Sequence, residues 1–407
     1  MKNKTLTTAA ICLTAAFATQ VQAAFYDWEG GVSDDWMNNL NWESDTIPVA
    51  ADTARIYNSD ISSDPTPNNT VLKTGGNASV TNVWLGNQTD GSLESGVLTV
   101  ESGATLTTSA NFIVSQNSTL TSSGAISVGN TNGIIAKDTS NVTLKSGSTL
   151  NKLTLQENST ATLEAGSTVT SITNLINNSQ LTLNTTYSGN LNMNTSSSLT
   201  LNGTLNGNFG VGSTAMQYIG ATGVVNGTSN VTGLVLGSGD QATIAGTIQG
   251  GLFSVNGTGS AIIEATANIL SDGEKSWIYN NAAVQWNVGA DGEIGTLKTN
   301  RGGSNEGANF DGEWRYNTTA VDMVVVLDDY EIDGETITLQ LVSGIQNEST
   351  FADNVSFMLN GEDVTDGFTW NGAGSGSFSG IVVPEPGTYA LLAGCFALAS
   401  VMIRRRR

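Results

Sequence analysis

Leu98-Thr-Val100 runs into Glu101-Ser-Gly-Ala-Thr-Leu106. The same formula returns as Val142-Thr-Leu144 with Lys145-Ser-Gly-Ser-Thr-Leu150, and as Ala161-Thr-Leu163 with Glu164-Ala-Gly-Ser-Thr-Val169. Related triplets stand at Leu120-Thr-Ser122, Leu181-Thr-Leu183 and Leu199-Thr-Leu201, which separates the six central threonines by 22, 22, 19, 20 and 18 residues. Within each unit apolar residues alternate with Thr or Ser, the period-2 pattern of a strand with one buried face. Gly and Asn-Gly punctuate the units and supply the positive φ of tight turns. A short-stranded unit of about 20 residues buries nothing by itself and must stack on its neighbours, which predicts an all-β chain wound as a right-handed parallel β-helix. Residues 70–345 would then give about 14 turns and a rod on the order of 65 Å long. Tandem antiparallel β-sandwiches also place strands and turns at close intervals, and the irregular spacing after residue 205 keeps that alternative open.

The repeat sits between two ends of different character. Met1 to Ala23 carries Lys2 and Lys4, then the apolar or small run Leu6 to Thr19, then Val21-Gln22-Ala23, and reads as a signal peptide for the Sec export machinery, cut between Ala23 and Ala24. At the other end Val383-Pro384-Glu385-Pro386-Gly387 precedes the apolar run from Tyr389 to Ile403, and Arg404, Arg405, Arg406 and Arg407 finish the chain. The prolines force any helix to begin after them, and Tyr389 to Ile403 gives about 22 Å of helix against a hydrocarbon core of about 30 Å. Snorkelling arginines shorten that gap and hold their end on the cytoplasmic side. The expected layout is a signal peptide over 1–23, a Trp-rich cap over 24–64, a β-solenoid over 65–345, a terminal β segment and linker over 346–382, and the tail over 383–407.

The tail resembles the PEP-CTERM sorting signal of exported bacterial proteins in motif, apolar helix and arginine cluster. The resemblance implies that Pro384, Glu385 and Pro386 are read by an exosortase-type processing enzyme, and that the protein is anchored in the inner membrane at least transiently before reaching the cell surface, extracellular space or biofilm matrix. Exopolysaccharide enters as a partner by the same resemblance. Trp28 to Trp36, Asn41-Trp42 and Pro48 to Ile56 resemble the N-terminal start module of autotransporter-like β-rich exported proteins, where three tryptophans would close the first turn.

Composition removes many functions. The 407 residues include no His, so no imidazole base, Ser-His-Asp triad or His-ligated metal can be assembled. Nine basic residues face 35 carboxylates between the two ends, about −26, which sets the body against nucleic acid as a partner. The two cysteines, Cys12 and Cys395, lie in the terminal apolar segments, so the body contains no disulfide.

Three features of the body were candidates for chemistry. Asp329 and Glu331, as alternate residues of an extended strand, would stand about 6.7 Å apart, within glycosidase range. With Asp333 they hint at a calcium-binding loop, but the segment reads foremost as a solvated hairpin turn between Met323–Leu327 and Thr336–Val342. No other cofactor is expected. Lys137, Lys145 and Lys152 sit on adjacent turns at corner positions, the nearest approach to a polysaccharide lyase site, with no acidic cluster beside them. Trp28, Trp36 and Trp42, and a second group of Trp277/Tyr279, Trp286 and Trp314/Tyr316, suit caps better than sugar platforms. The expectation is therefore a noncatalytic exported surface or matrix protein, with a carbohydrate-active β-helix enzyme or a carbohydrate-binding protein as alternatives.

Overall fold

The computed structural model describes residues 24–57, 69–86, 94–189, 191–194, 196–206, 209–211, 216–219, 223–226, 234–237, 239–249, 253–255, 257–271, 275–278, 281–299, 313–316, 322–331, 335–342, 353–372, 376–382, 394–398 and 401–402. The chain is all-β, with curled parallel sheets. The threonine triplets fall on Val97–Val100, Thr119–Ser122, Asn141–Leu144, Thr160–Leu163, Gln180–Leu183 and Ser198–Leu201, each strand pairing in parallel with the next. Thr99 stands beside Thr121, and Thr143, Thr162, Thr182 and Thr200 follow in line. The spacings read from the sequence are thus the lengths of successive turns. Alternation sends Leu98, Val100, Leu120, Val142, Leu144, Leu163, Leu181 and Leu201 into the core and leaves the threonines facing outward.

Each turn contributes to two further faces. A second face stacks Asn77–Val80, Thr105–Thr108 and Ala125–Val128. A third stacks Phe25–Asp27, Thr53–Ile56, Asn82–Leu85, Phe112–Val114 and Ile134–Ala136. The long strand Thr149–Leu155 joins them, pairing Thr149 and Leu150 with the second face and Leu153 to Leu155 with the third. A register shift between Leu153 and Leu155, against Thr168–Leu175, takes up the bend. The two faces part again at Thr186–Ser188 and Leu191–Met193.

The corners explain why the repeat holds. After the long face comes a turn such as Lys145–Ser148 or Glu164–Ser167, in which Gly147 (φ +84°) and Gly166 (φ +83°) supply the left-handed residue of a type II turn. Before the long face comes a tighter corner with two left-handed residues in succession: Gln116-Asn117, Asp138-Thr139, Glu157-Asn158 and Asn177-Asn178. With the bond from residue i+3 back to i, this is a type I′ turn. It ends on a fully buried serine at 118, 140, 159, 179 and 197. Ser159 Oγ accepts from the Gln156 N–H at 3.0 Å and Ser197 Oγ from the Asn194 N–H at 3.1 Å. Asp240 takes the same place later, its Oδ2 accepting from Gly237 N–H at 2.8 Å.

The region after residue 205 joins the same sheet. Met216–Ile219, Gln241–Ile244, Ser260–Ile263, Ala283–Asn287, Asp322–Val326 and Val355–Leu359 continue the long face in parallel, so the sandwich alternative is not what the chain adopts. Turns lengthen there, with Val284 beside Met323 and Met323 beside Val355. Among the described residues the long face therefore has 13 parallel strands, from Thr70–Leu72 to Val355–Leu359, before the antiparallel Glu362–Asp363 closes it. That is about 58 Å of stacked strands, somewhat shorter than expected. Parallel pairing runs from Phe25 on the third face to Met358 on the long face.

The strands expected to form a hairpin around residues 328–335 do not pair with each other. Asp322–Val326 belongs to the long face, while Thr336–Gln340 pairs antiparallel with Ser377–Ile381, which also pairs with Phe368–Trp370. This small sheet caps the rod through Phe357, stacked on Phe368 at 4.0 Å and edge-on to Phe378 at 5.1 Å. All described strands and buried core residues lie between Ala24 and Val382, so this span has a closed core of its own.

Candidate functional site

The N-terminal tryptophans are packing residues. Trp28, Trp36 and Trp42 are all buried, with edge-on ring contacts at 5.1 and 4.8 Å. Trp42 Nε1 donates to the Trp36 carbonyl at 2.8 Å. Asn41, fully buried, accepts from the Val32 and Ser33 N–H groups through Oδ1 and donates to the Asp35 carbonyl. Such a group cannot stack on a sugar ring, because no ring face is open to solvent. In the second aromatic group Trp286 is fully buried. The register pairs Ser276 with Trp314 and Trp277 with Arg315, so the two tryptophans are one position out of step; Tyr279 lies outside the described residues.

Beside the cap, Arg55 pairs with Asp27 and lies over the Phe25 ring, 4.9 Å from its centroid. Burial, with Asp27 close by, pushes the Tyr57 hydroxyl far up. Lys73 pairs with Asp34 at 2.8 Å and ties the cap loop to the first complete turn. Ala24, the residue expected to lead the exported chain, is seated here: its N–H donates to Asp52 Oδ1 at 3.4 Å and its carbonyl accepts from the Thr53 N–H. Asp52 is buried, and its other oxygen accepts from the Val49 N–H at 2.9 Å.

Asp329 and Glu331 are exposed and do not lie on a strand. Residues 328–329 form a turn, so the strand spacing that would have suited a glycosidase pair does not apply. The Glu331 N–H donates to the Ala290 carbonyl, and Asp328 Oδ1 accepts from the Asn360 N–H. Asp333 lies outside the described residues. Among the described residues no group of three or more His, Cys, Asp or Glu is placed to hold a metal ion.

The lysines are dispersed around the turn. Lys137 lies at the type I′ corner, 3.5 Å from Asp138, and Lys145 opens the glycine corner. Lys152 is within the strand Thr149–Leu155 rather than at a corner, and its Nζ donates to the Thr131 carbonyl. Next to Lys137, the hydrogen bond that the protonated Glu157 carboxyl donates to Asp138, then burial and the Asp138 charge, raise the Glu157 carboxyl. A carboxyl raised on folding contributes stability below its unfolded pKa and loses it as pH rises through the folded one. Glu157→Gln should therefore raise the melting temperature at pH 7 by roughly 1 °C, the pair being exposed and screened, and leave it unchanged near pH 4. Equal shifts in melting scans at both pH values would refute the coupling.

Pro384, Glu385, Pro386, Tyr389, Ile403 and Arg404 to Arg407 lie outside the described residues, as does Ala23. Between them, residues 394–398 and 401–402 are helical and exposed. Among the described residues no helix is long and apolar enough to cross a membrane. The serine-closed corner is what sequence reasoning missed, although its signal was present: Asn117-Ser118, Asn158-Ser159 and Asn178-Ser179 are two turns and one turn apart, with Thr139-Ser140 between the first two. Comparison with models of protein families, with curated proteins and with solved structures finds no match to this chain.

Proposed function

We propose that the chain is an exported, noncatalytic surface or matrix protein, with a right-handed parallel β-helix as its body and a C-terminal Pro-Glu-Pro signal for an exosortase-type enzyme. The observation that carries this reading is the order Pro384-Glu385-Pro386, apolar Tyr389 to Ile403, Arg404 to Arg407, placed after a stacked body. The right hand is the one that crossovers between parallel strands of one sheet adopt. Export is supported by the seat of Ala24: a chain cut before it would set its new ammonium beside the buried Asp52 carboxylate.

The test is replacement of Pro384, Glu385 and Pro386 by alanine in the native host. An apolar helix with a cytoplasmic arginine cluster holds a protein in the membrane without any such motif, so the motif acts through recognition. The variant is expected to accumulate uncut in the membrane fraction while the wild type loses its tail and moves outward. If mass spectrometry and fractionation find the variant trimmed and sorted like the wild type, the sorting reading fails.

A further inference from the structure

The charge of the body is concentrated towards the two ends of its sequence. Residues 24–94 hold eleven carboxylates and two basic residues, and residues 271–382 hold eighteen and four. The intervening 95–270 hold six and three, and no charged residue occurs between Glu164 and Asp240. The long face is emptier still. On its ten strands from Val97–Val100 to Ala283–Asn287, no outward register position carries a charge. One outward column there runs Thr99, Thr121, Thr143, Thr162, Thr182, Thr200. These β-branched side chains have few rotamers, which makes the surface flat and stiff.

We propose that this uncharged long face is where a second copy of the chain docks, side against side. The argument is electrostatic. Two copies meeting through either end bring net charges of about −9 or −14 together, whereas the middle carries about −3 and the outward strand positions of its long face carry none, so that face is where an identical acidic partner approaches with least like-charge opposition. Ten strands at about 4.8 Å, each about 13 Å long, offer roughly 600 Å² per copy, or about 1,200 Å² in all, the lower bound for a specific interface. The long face is the unbroken one, since the second and third faces merge at Thr149–Leu155 and Thr168–Leu175. This deepens the matrix reading by naming a partner, but its test is independent of sorting.

Residues 24–382 should self-associate in sedimentation equilibrium over a micromolar to submillimolar range. Added salt should tighten the association, because it screens the ends while leaving the uncharged face unaffected. Combining Thr121→Glu, Thr162→Glu and Thr200→Glu, on alternate turns to avoid stacking the new charges, should weaken it at least about tenfold. Far-UV spectra and melting confirm that the variant is folded, and Asn at the same three positions should retain association. The control Thr107→Glu, Thr168→Glu, Thr204→Glu on the second face should also retain it. A wild type that stays monomeric at every salt concentration overturns the proposal, as does a control as disruptive as the long-face variant.

Discussion

Trp42→Ala should cost the N-terminal turns about 3–5 kcal/mol, the range for removing a large buried aromatic. The ring lies between Trp28 and Trp36, and its loss also strips the Trp36 carbonyl of the Nε1 donor. In a stack whose turns touch their neighbours, the damage should stay local. Hydrogen exchange should accelerate through Phe25–Asp27, Thr53–Ile56 and Asn82–Leu85 while the turns around Leu163 keep their protection. Met37→Ala, at an exposed position of the same cap, should be nearly neutral. Uniform acceleration along the rod, or a cost below about 1 kcal/mol, would show that the aromatic group is not the cap.

The second large effect is a contrast between two deletions. From Leu181 to Leu199, from Thr186 to Thr204 and from Leu191 to Phe209 the partners on all three faces are 18 residues apart. Removing residues 181–198 joins Gln180 to Leu199 with every register preserved, so the shortened rod should melt cooperatively, only a few degrees lower. Part of that loss comes from Tyr187, whose hydroxyl accepts from the Ile172 N–H at 2.8 Å and which Leu205 would replace. Removing residues 181–189 instead leaves half a turn, so the strands after it cannot meet those of the turn before it in register; the stack should break at that junction, exposing core and strand edges there, and the chain should lose cooperative melting and solubility. Circular dichroism and solubility distinguish them. If both deletions behave alike, whole turns are not the unit of the fold.

The first half of the body was legible because one side-chain rule repeats without interruption. Leu98, Leu120, Val142, Leu181 and Leu199 all occupy the same inward position, flanked by threonines that alternate outward. Beyond residue 205 that rule breaks. Gln217 falls in register with Leu199, Ala242 and Ala261 follow in the same column, and the spacing between partners grows to 39 residues from Val284 to Met323. Parallel pairing persists there because backbone hydrogen bonds to the previous turn do not depend on which side chain fills the core. The hairpin expected around Asp329 and Glu331 differs for a related reason: these residues are exposed as a solvated turn requires, but the flanking strands pair with residues far along the chain, not with each other. The reading proposed for the tail rests on Pro384, Glu385 and Pro386 as a linear motif, which needs no folded neighbourhood to be read from sequence.

One property of the stacked turns concerns length. The turn from Leu181 to Ser198 advances the rod by about 4.8 Å, yet the same residues drawn straight span about 60 Å. Its strands run across the axis and its hydrogen bonds along it, so a load between Ala24 and the C-terminal end meets one row of bonds at a time. A body tethered at one end therefore holds a reserve of slack roughly twelve times its resting extent, released turn by turn.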